Sequence, residues 1–272
     1  MKKTSLILLI TSALLVTSCA TTTNNSLSGV ERTQFLMLPA SSVDVMSGQA
    51  YKETLEKAKT EKTLNTDAAM LKRITTISNK LIAQVSIFRA DASKWAWEVN
   101  VEKNDQLNAY CMPGGKIMVF SGLVEKIDAS DDELAAVIGH EIAHALREHG
   151  RERMSQAYIQ QYGMQALTAL AGDGLTGVLA TQGAELGTQL FFSLPNSREQ
   201  EREADRIGLE LAARAGYNPN AAVTLWQKMA AESPNSPPEF LSTHPASQNR
   251  IHDLQALAPK VMPLYEAALK GQ

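Results

Sequence analysis

Between Ser130 and Gly150 the chain reads SDDELAAVIGHEIAHALREHG. Ser130 with Glu133 three positions on has the form of a capping box, and Asp131 and Asp132 suit the positive end of a helix dipole. The pattern predicts a helix from Ser130 to about Glu148, with Gly150 ending it. At 100° per residue, Leu134, Ala136, Ile138, Gly139, Ile142, Ala143, Ala145 and Leu146 fill a broad apolar arc. Such a helix has to be buried nearly all round, so the fold has to be built about it. Its remaining sector holds Val137, His140, Glu141, His144, Arg147 and Glu148. Positions i and i+4 share one face, one turn apart, which sets His140 beside His144. Two imidazoles so placed can grip one Zn²⁺, and Glu141 beside the first can activate a water held there. Chance produces this pattern in roughly one chain in 150 of this composition, so the rest of the sequence has to supply a third ligand.

The candidates lie in Asn196–Arg214, NSREQEREADRIGLELAAR, a second capped helix. One face of its wheel carries Glu199, Glu203, Arg206, Glu210 and Arg214, which reads as a solvated, ion-paired surface. The opposite face carries Glu201, Ala204, Asp205, Gly208, Leu211 and Ala212. Two carboxylates one turn apart on a packing face are costly unless paired or metal-bound. Small residues at 204 and 208 permit a close approach to another helix. If that helix is 131–148, Glu201 reaches the metal and Asp205 can hold a ligand histidine by its other ring nitrogen.

The N-terminus bears on compartment. Lys2 and Lys3 precede the apolar run Leu6–Val16, the form of a secretory signal and too short to span a bilayer comfortably. Val16-Thr17-Ser18-Cys19 resembles a bacterial lipobox, with Cys19 as the lipidated first residue; an ordinary cleaved signal with an incidental cysteine is the competing reading. Residues 1–18 are thus expected to be a signal peptide and 19–46 a lipidated N-terminus and flexible tether. With Cys19 so used, Cys111 stands alone and no disulfide framework exists; it reads as a small buried side chain on a strand. A net charge of −3 and a pI near 6.0 give no basis for nucleic-acid binding.

Elsewhere the periodicity predicts helices near 47–62 and 66–89, the second with an apolar stripe of Met70, Ile74, Ile77, Leu81 and Val85. Short strands follow at 95–101, 107–112 and 116–120, with Pro113-Gly114-Gly115 as a turn. Residues 154–196 admit two readings, a buried helical hairpin or a mobile lid with glycine hinges. His149 and His252 are expected at the surface, and His244 follows a Pro-rich loop.

His140-Glu141-x-x-His144, followed by Ser197-Arg198-x-x-Glu201-x-Glu203-Ala204-Asp205, resembles metallopeptidase family forty-eight, a gluzincin group. Asn108-Ala109-Tyr110, Pro113-Gly114-Gly115-Lys116, Ser242-Thr243-His244-Pro245 and Arg250-Ile251 match as well. The resemblance covers about residues 65–258 and is nearest to the soluble periplasmic lipoprotein branch, without a tetratricopeptide domain. It implies an α+β, mainly helical, zincin-like domain over 47–272, with a small sheet packed on the active-site helices. It implies one Zn²⁺ held by His140, His144 and Glu201, Glu141 as general base, and Asp205 and Arg250 backing the ligands. His244 lies near the metal, as a fourth ligand or as an oxyanion donor. The strand 116–120 and its neighbour at Asn108, Ala109 and Tyr110 border the cleft, where an extended peptide adds as a strand. The expected function is endopeptidase cleavage of unfolded or misassembled envelope proteins, from the outer membrane facing the periplasm. The rival reading is a non-proteolytic holdase or assembly factor with a closed zinc site.

Overall fold

The computed structural model describes residues 19–170, 195–232, 239–244 and 248–271. In chain order it comprises β1 (Cys19–Ala20), β2 (Gln34–Phe35), α1 (Ala40–Thr60), α2 (Ala68–Ile82), and 3₁₀ turns at Val85–Ile87 and Ala90–Lys94. Then come β3 (Glu98–Glu102), β4 (Ala109–Met112), β5 (Lys116–Phe120), α3 (Ser121–Glu125), α4 (Asp131–Leu146) and α5 (His149–Leu170). After residues outside the description follow α6 (Arg198–Arg214), α7 (Ala221–Glu232), α8 (Glu239–Thr243) and α9 (Gln248–Lys270). It is an α+β, mainly helical fold. The signal-like segment 1–18 and most of the hairpin-or-lid stretch, 171–194, lie outside the described residues.

The sheet is ordered β3-β5-β4, with β5 parallel to β3 and antiparallel to β4. Alternation assigns its two faces. Ala109, Cys111, Ile117 and Val119 join the main core with α2 and α4. Tyr110, Met112, Met118 and Phe120 pack instead against Ala50 and Tyr51 of α1. Tyr51 also donates its hydroxyl to the carbonyl of Ile117 (2.8 Å), which ties α1 to the middle strand. Gly114 and Gly115, both at positive φ, make the β4–β5 turn.

α4 is the central element, with every residue from Glu133 to Leu146 buried. Its capping box is complete: Glu133 N–H donates to Ser130 Oγ, and Ser130 N–H donates to Glu133 Oε2 (2.9 Å). The helix ends sooner than its wheel suggests. Arg147 is the C-cap, and Glu148 takes the left-handed φ of +51° expected of a terminating glycine. Gly150 therefore falls inside α5, not at a helix end.

α6 crosses α4 at a glycine–glycine contact. A Cβ on Gly139 would lie 3.0 Å from the Gly208 carbonyl oxygen, and one on Gly208 would lie 2.7 Å from the His140 amide nitrogen. Only hydrogen at both positions permits this approach, which brings the carboxylates of one helix to the imidazoles of the other.

The expected flexible tether is different. Residues 20–34 lie against the domain: Ser28 N–H donates to Glu210 Oε2 (2.6 Å), and Gln34 donates to the Arg147 carbonyl (2.6 Å). α1 begins at Ala40, not near 47, after Pro39 at the N-cap. α2 stops at Ile82, and its apolar stripe continues into the first 3₁₀ turn through buried Val85.

Candidate metal centre

α4 and α6 bring the buried side chains of His140, His144 and Glu201 together, and the segment after α8 adds His244. One ligand atom from each of the four lies within 4.8 Å of all the others. His140 Nε2 and His144 Nε2 are 3.0 Å apart, and Glu201 places oxygens 3.4 Å from the first and 3.3 Å from the second. His244 Nδ1 lies 2.9 Å from Glu201 Oε1 and 3.3 Å from His140 Nε2.

The donor set fits a metal ion. Two imidazole nitrogens and a carboxylate converge at 3.0 to 3.4 Å in a buried site, a donor set that a cation between them can bridge. Glu141 Oε1, beside them, is buried without a hydrogen bond. The chemistry is that of a zinc site: nitrogen and oxygen donors, no thiolate.

His140 and Glu201 are held from behind. His140 Nδ1 faces Asp205 Oδ1 at 3.0 Å, off hydrogen-bond alignment. Asp205 is gripped in turn by Arg250, whose Nε and Nη2 donate to its two oxygens at 2.6 and 2.7 Å. Arg250 also approaches Glu201 Oε2 to 2.8 Å and lies over the Trp226 ring, 4.1 Å from its centroid. Burial lowers the His140 pKa, but the nearby carboxylates of Asp205 and Glu201 outweigh it and push the group up to about 9. For Glu201, burial works upward, and the His244, His140 and His144 rings overcome it to hold the carboxyl well below its usual range.

Glu141 sits beside this centre with Oε1 3.6 Å from His244 Nε2. Burial raises its pKa, against the pull of His244 and His140, and so makes it a stronger base. It opens on a cleft of about 700 Å³, solvent-filled mouth included. Asn108, Ala109, Tyr110 and Cys111 line one side of this cleft, and Arg153, Asn196 and His244 line another. The sheet corrects one expectation. Lys116–Phe120 is the middle strand with both edges paired, so the edge facing the cleft belongs to β4. Cys111 is a buried strand residue, its thiol pushed up in pKa by burial.

His244 is held at the centre from several sides. It stacks on Phe240 with centroids 4.4 Å apart, and its Nδ1 lies 3.3 Å from the Asn196 amide. Asn196 N–H donates to the Thr243 carbonyl (3.0 Å), joining this segment to the start of α6.

Two expectations about α6 and α5 fail. Glu203 and Glu210 are buried, not solvated, because the segment 26–32 covers that face. His149 is fully buried, not at the surface: its Nδ1 is 2.8 Å from His144 Nδ1 and its Nε2 is 2.9 Å from Glu203 Oε2. Sequence reasoning missed it because it lies beyond the helix end, five residues past His144, where α4 geometry no longer applies. His252 is exposed, as expected.

Residues 71–258 match the model of Peptidase family M48. The chain belongs to peptidase family M48. Among its M48 relatives, metalloprotease LoiP of Escherichia coli is 31% identical over 258 residues, covering 94% of this chain and 96% of that protein. The mitochondrial metalloendopeptidase OMA1 of Saccharomyces cerevisiae is 34% identical over 183 residues, 65% of this chain and 50% of that protein. The β-barrel assembly-enhancing protease of Yersinia pestis is 31% identical over 210 residues, 72% of this chain and 40% of that protein. The chain spans about half the length of the mitochondrial relatives it matches. The M48 domain of this chain is a zinc metallopeptidase domain, and among the described residues no helix is long and apolar enough to cross a membrane.

Proposed function

We propose that this chain is a zinc-dependent endopeptidase of the bacterial envelope, lipid-anchored through Cys19 to the outer membrane and facing the periplasm. Its substrates are unfolded or misassembled envelope polypeptides. The observation that carries this reading is Glu141, a buried carboxylate with an unbonded oxygen beside two imidazoles and the Glu201 carboxylate. The lipobox-like Val16-Thr17-Ser18-Cys19 supports the anchor. The relative named for β-barrel assembly supports an outer-membrane setting.

His140, His144 and Glu201 would hold the metal, which when bound polarises a carbonyl and acidifies water. Asp205 and Arg250 orient His140 from behind. Glu141 takes the proton of the attacking water and passes it to the leaving amine. The edge of β4 at Asn108–Tyr110 receives the substrate backbone as an added strand. His244 in its present position caps the site with Nδ1. When its segment swings out, the position opens to substrate.

The holdase reading requires a closed four-ligand site, and His244 supplies the fourth group. Such a site has no use for Glu141, whose burial uncompensated by a hydrogen bond costs stability.

The test is cleavage of an unfolded substrate by the full chain, with zinc content measured alongside. Glu141→Gln is expected to abolish cleavage and keep about one zinc per chain. Unchanged turnover in that variant sinks the endopeptidase reading. His244→Ala is expected to raise basal cleavage, while a drop of roughly 10²–10³ with zinc retained assigns it to the oxyanion instead.

A further inference from the structure

The buried partner of His144 is unusual. His140 faces a carboxylate, the common arrangement for a metal-binding histidine, whereas His144 faces another imidazole. The protons along that contact can be placed from chemistry alone. Glu203 Oε2 only accepts, so His149 donates its Nε2–H to it (2.9 Å). His149 Nδ1 is then a lone pair, and His144 donates its Nδ1–H to it (2.8 Å). That leaves the lone pair of His144 on Nε2, the nitrogen 3.0 Å from His140 Nε2. The opposite assignment would turn an N–H toward the ligand cluster.

Glu203 is held in place by two arginines. Arg147 Nε and Nη2 donate to its Oε2, both at 3.2 Å, and Arg32 Nε donates to its Oε1 at 2.8 Å. Both arginines are seated by the chain just after Cys19. Arg147 Nη1 donates to Thr21 Oγ1 (3.2 Å) and Thr23 Oγ1 (3.3 Å), and its Nη2 donates to the Arg32 carbonyl (2.9 Å). Arg32 is clamped in turn on Glu152, at 2.6 and 2.8 Å. A continuous hydrogen-bonded path thus runs from the anchor-proximal segment to a metal ligand, and its inner members, Arg147, His149 and Glu203, are buried.

We propose that His149 and Glu203 are positioning residues for His144, and that docking of Thr21–Gln34 completes this brace and so sets the metal affinity of the site. The proposal rests on the reading of His144 as a zinc ligand. A brace of this kind ties the enzyme's loaded state to the seating of the segment that joins it to its anchor.

Zinc affinity of the purified full chain, measured by competition with a chromophoric chelator, tests it, with thermal melting of the metal-free form as the check on folding. His149→Leu is expected to weaken zinc binding by roughly 10–100-fold. His149→Gln is expected to recover most of that loss, since its amide oxygen accepts from His144 and its NH₂ donates to Glu203. Glu203→Gln keeps the shape, loses the charge and is expected to weaken binding as well; it replaces His149→Leu if that variant does not fold. Arg32→Ala is expected to cost on the order of threefold, and nothing further in the His149→Leu background. Wild-type affinity in folded His149→Leu overturns the proposal, as does equal weakness of the Leu and Gln variants. An Arg32→Ala loss that persists in the His149→Leu background overturns the role of the N-terminal segment. His144→Ala separates the two levels: zinc retained there sinks the ligand reading itself, whereas zinc lost there with His149→Leu unaffected sinks the brace alone.

Discussion

The two histidines of α4 stand one turn apart and face the same centre, yet they are supported in opposite ways. His140 is backed by Asp205, and Asp205 by Arg250, a short path closed within the helices α6 and α9. His144 is backed by His149 and Glu203, a longer path that ends on Arg147, Arg32 and the threonines of the N-terminal segment. The first support folds with the core. The second is complete only when a segment more than a hundred residues upstream has docked. One side of the centre is therefore fixed by packing, and the other is conditional on a surface strap.

The sharpest way to break this contrast is to cut both supports and compare. Asp205→Ala removes one partner of a buried, doubly hydrogen-bonded ion pair, and is expected to cost about 3–5 kcal/mol in denaturant unfolding of the metal-free protein. Glu203→Ala is expected to cost less, about 1–3 kcal/mol, because Arg147 keeps its bonds to Thr21, Thr23 and the Arg32 carbonyl. Equal costs would mean that the two supports are equivalent and the contrast is wrong.

Gly208→Ala strikes the His140 side through the backbone. Its new methyl would lie 2.7 Å from the His140 amide nitrogen and 2.9 Å from the Gly139 carbonyl carbon, so α4 and α6 have to separate. The expected cost is about 1–3 kcal/mol of stability, with weaker zinc binding because Glu201 moves away with its helix. A variant with wild-type melting and zinc affinity would show that the helix contact is not what aligns the ligands.

The smallest effect belongs to the N-terminal side and is read by pH. Glu152 is buried, which works upward on its pKa, but bonds from Arg32, Gln200 and Gln34 overcome this and bring it down to about 2. A carboxyl depressed on folding adds stability above its unfolded pKa, near 4.5, and loses it as pH falls toward 2. With Arg32 partly exposed, the contribution is discounted to about 1 kcal/mol. Metal-free wild type is expected to lose that margin over Glu152→Gln between pH 5 and pH 2, followed by urea unfolding. Parallel curves for the two proteins would remove Glu152 from the clamp on Arg32.

Much of the centre was legible because it is written at short range. The capping boxes at Ser130 and Ser197, the i,i+4 histidines, and Glu201 with Asp205 one turn apart on a small-residue face are all local periodicities. They survive translation into the fold because helix geometry fixes them before any tertiary contact forms. The strands were legible in the short β-rich runs at 95–101, 107–112 and 116–120 and in the Pro113-Gly114-Gly115 turn, but which of them takes the middle of the sheet was not.

What the sequence alone did not determine is which charges meet water and which meet protein. Glu199 and Glu203 lie on the same predicted stripe of α6, yet Glu199 is half-exposed and Glu203 is buried. A wheel pattern is identical whether a glutamate faces solvent or an arginine carried by a distant segment. His149 was hidden in the same way: it gains its role from the left-handed turn at Glu148 and from Glu203, neither of which any periodicity encodes. The sequence by itself determined the two helices that carry His140, His144 and Glu201 and their N-terminal caps, because one turn of helix has only one geometry. Tertiary structure alone decided the brace behind His144, because beyond His149 it closes through contacts 54 to 171 residues apart, and their entropy cost is met only when the whole domain has packed.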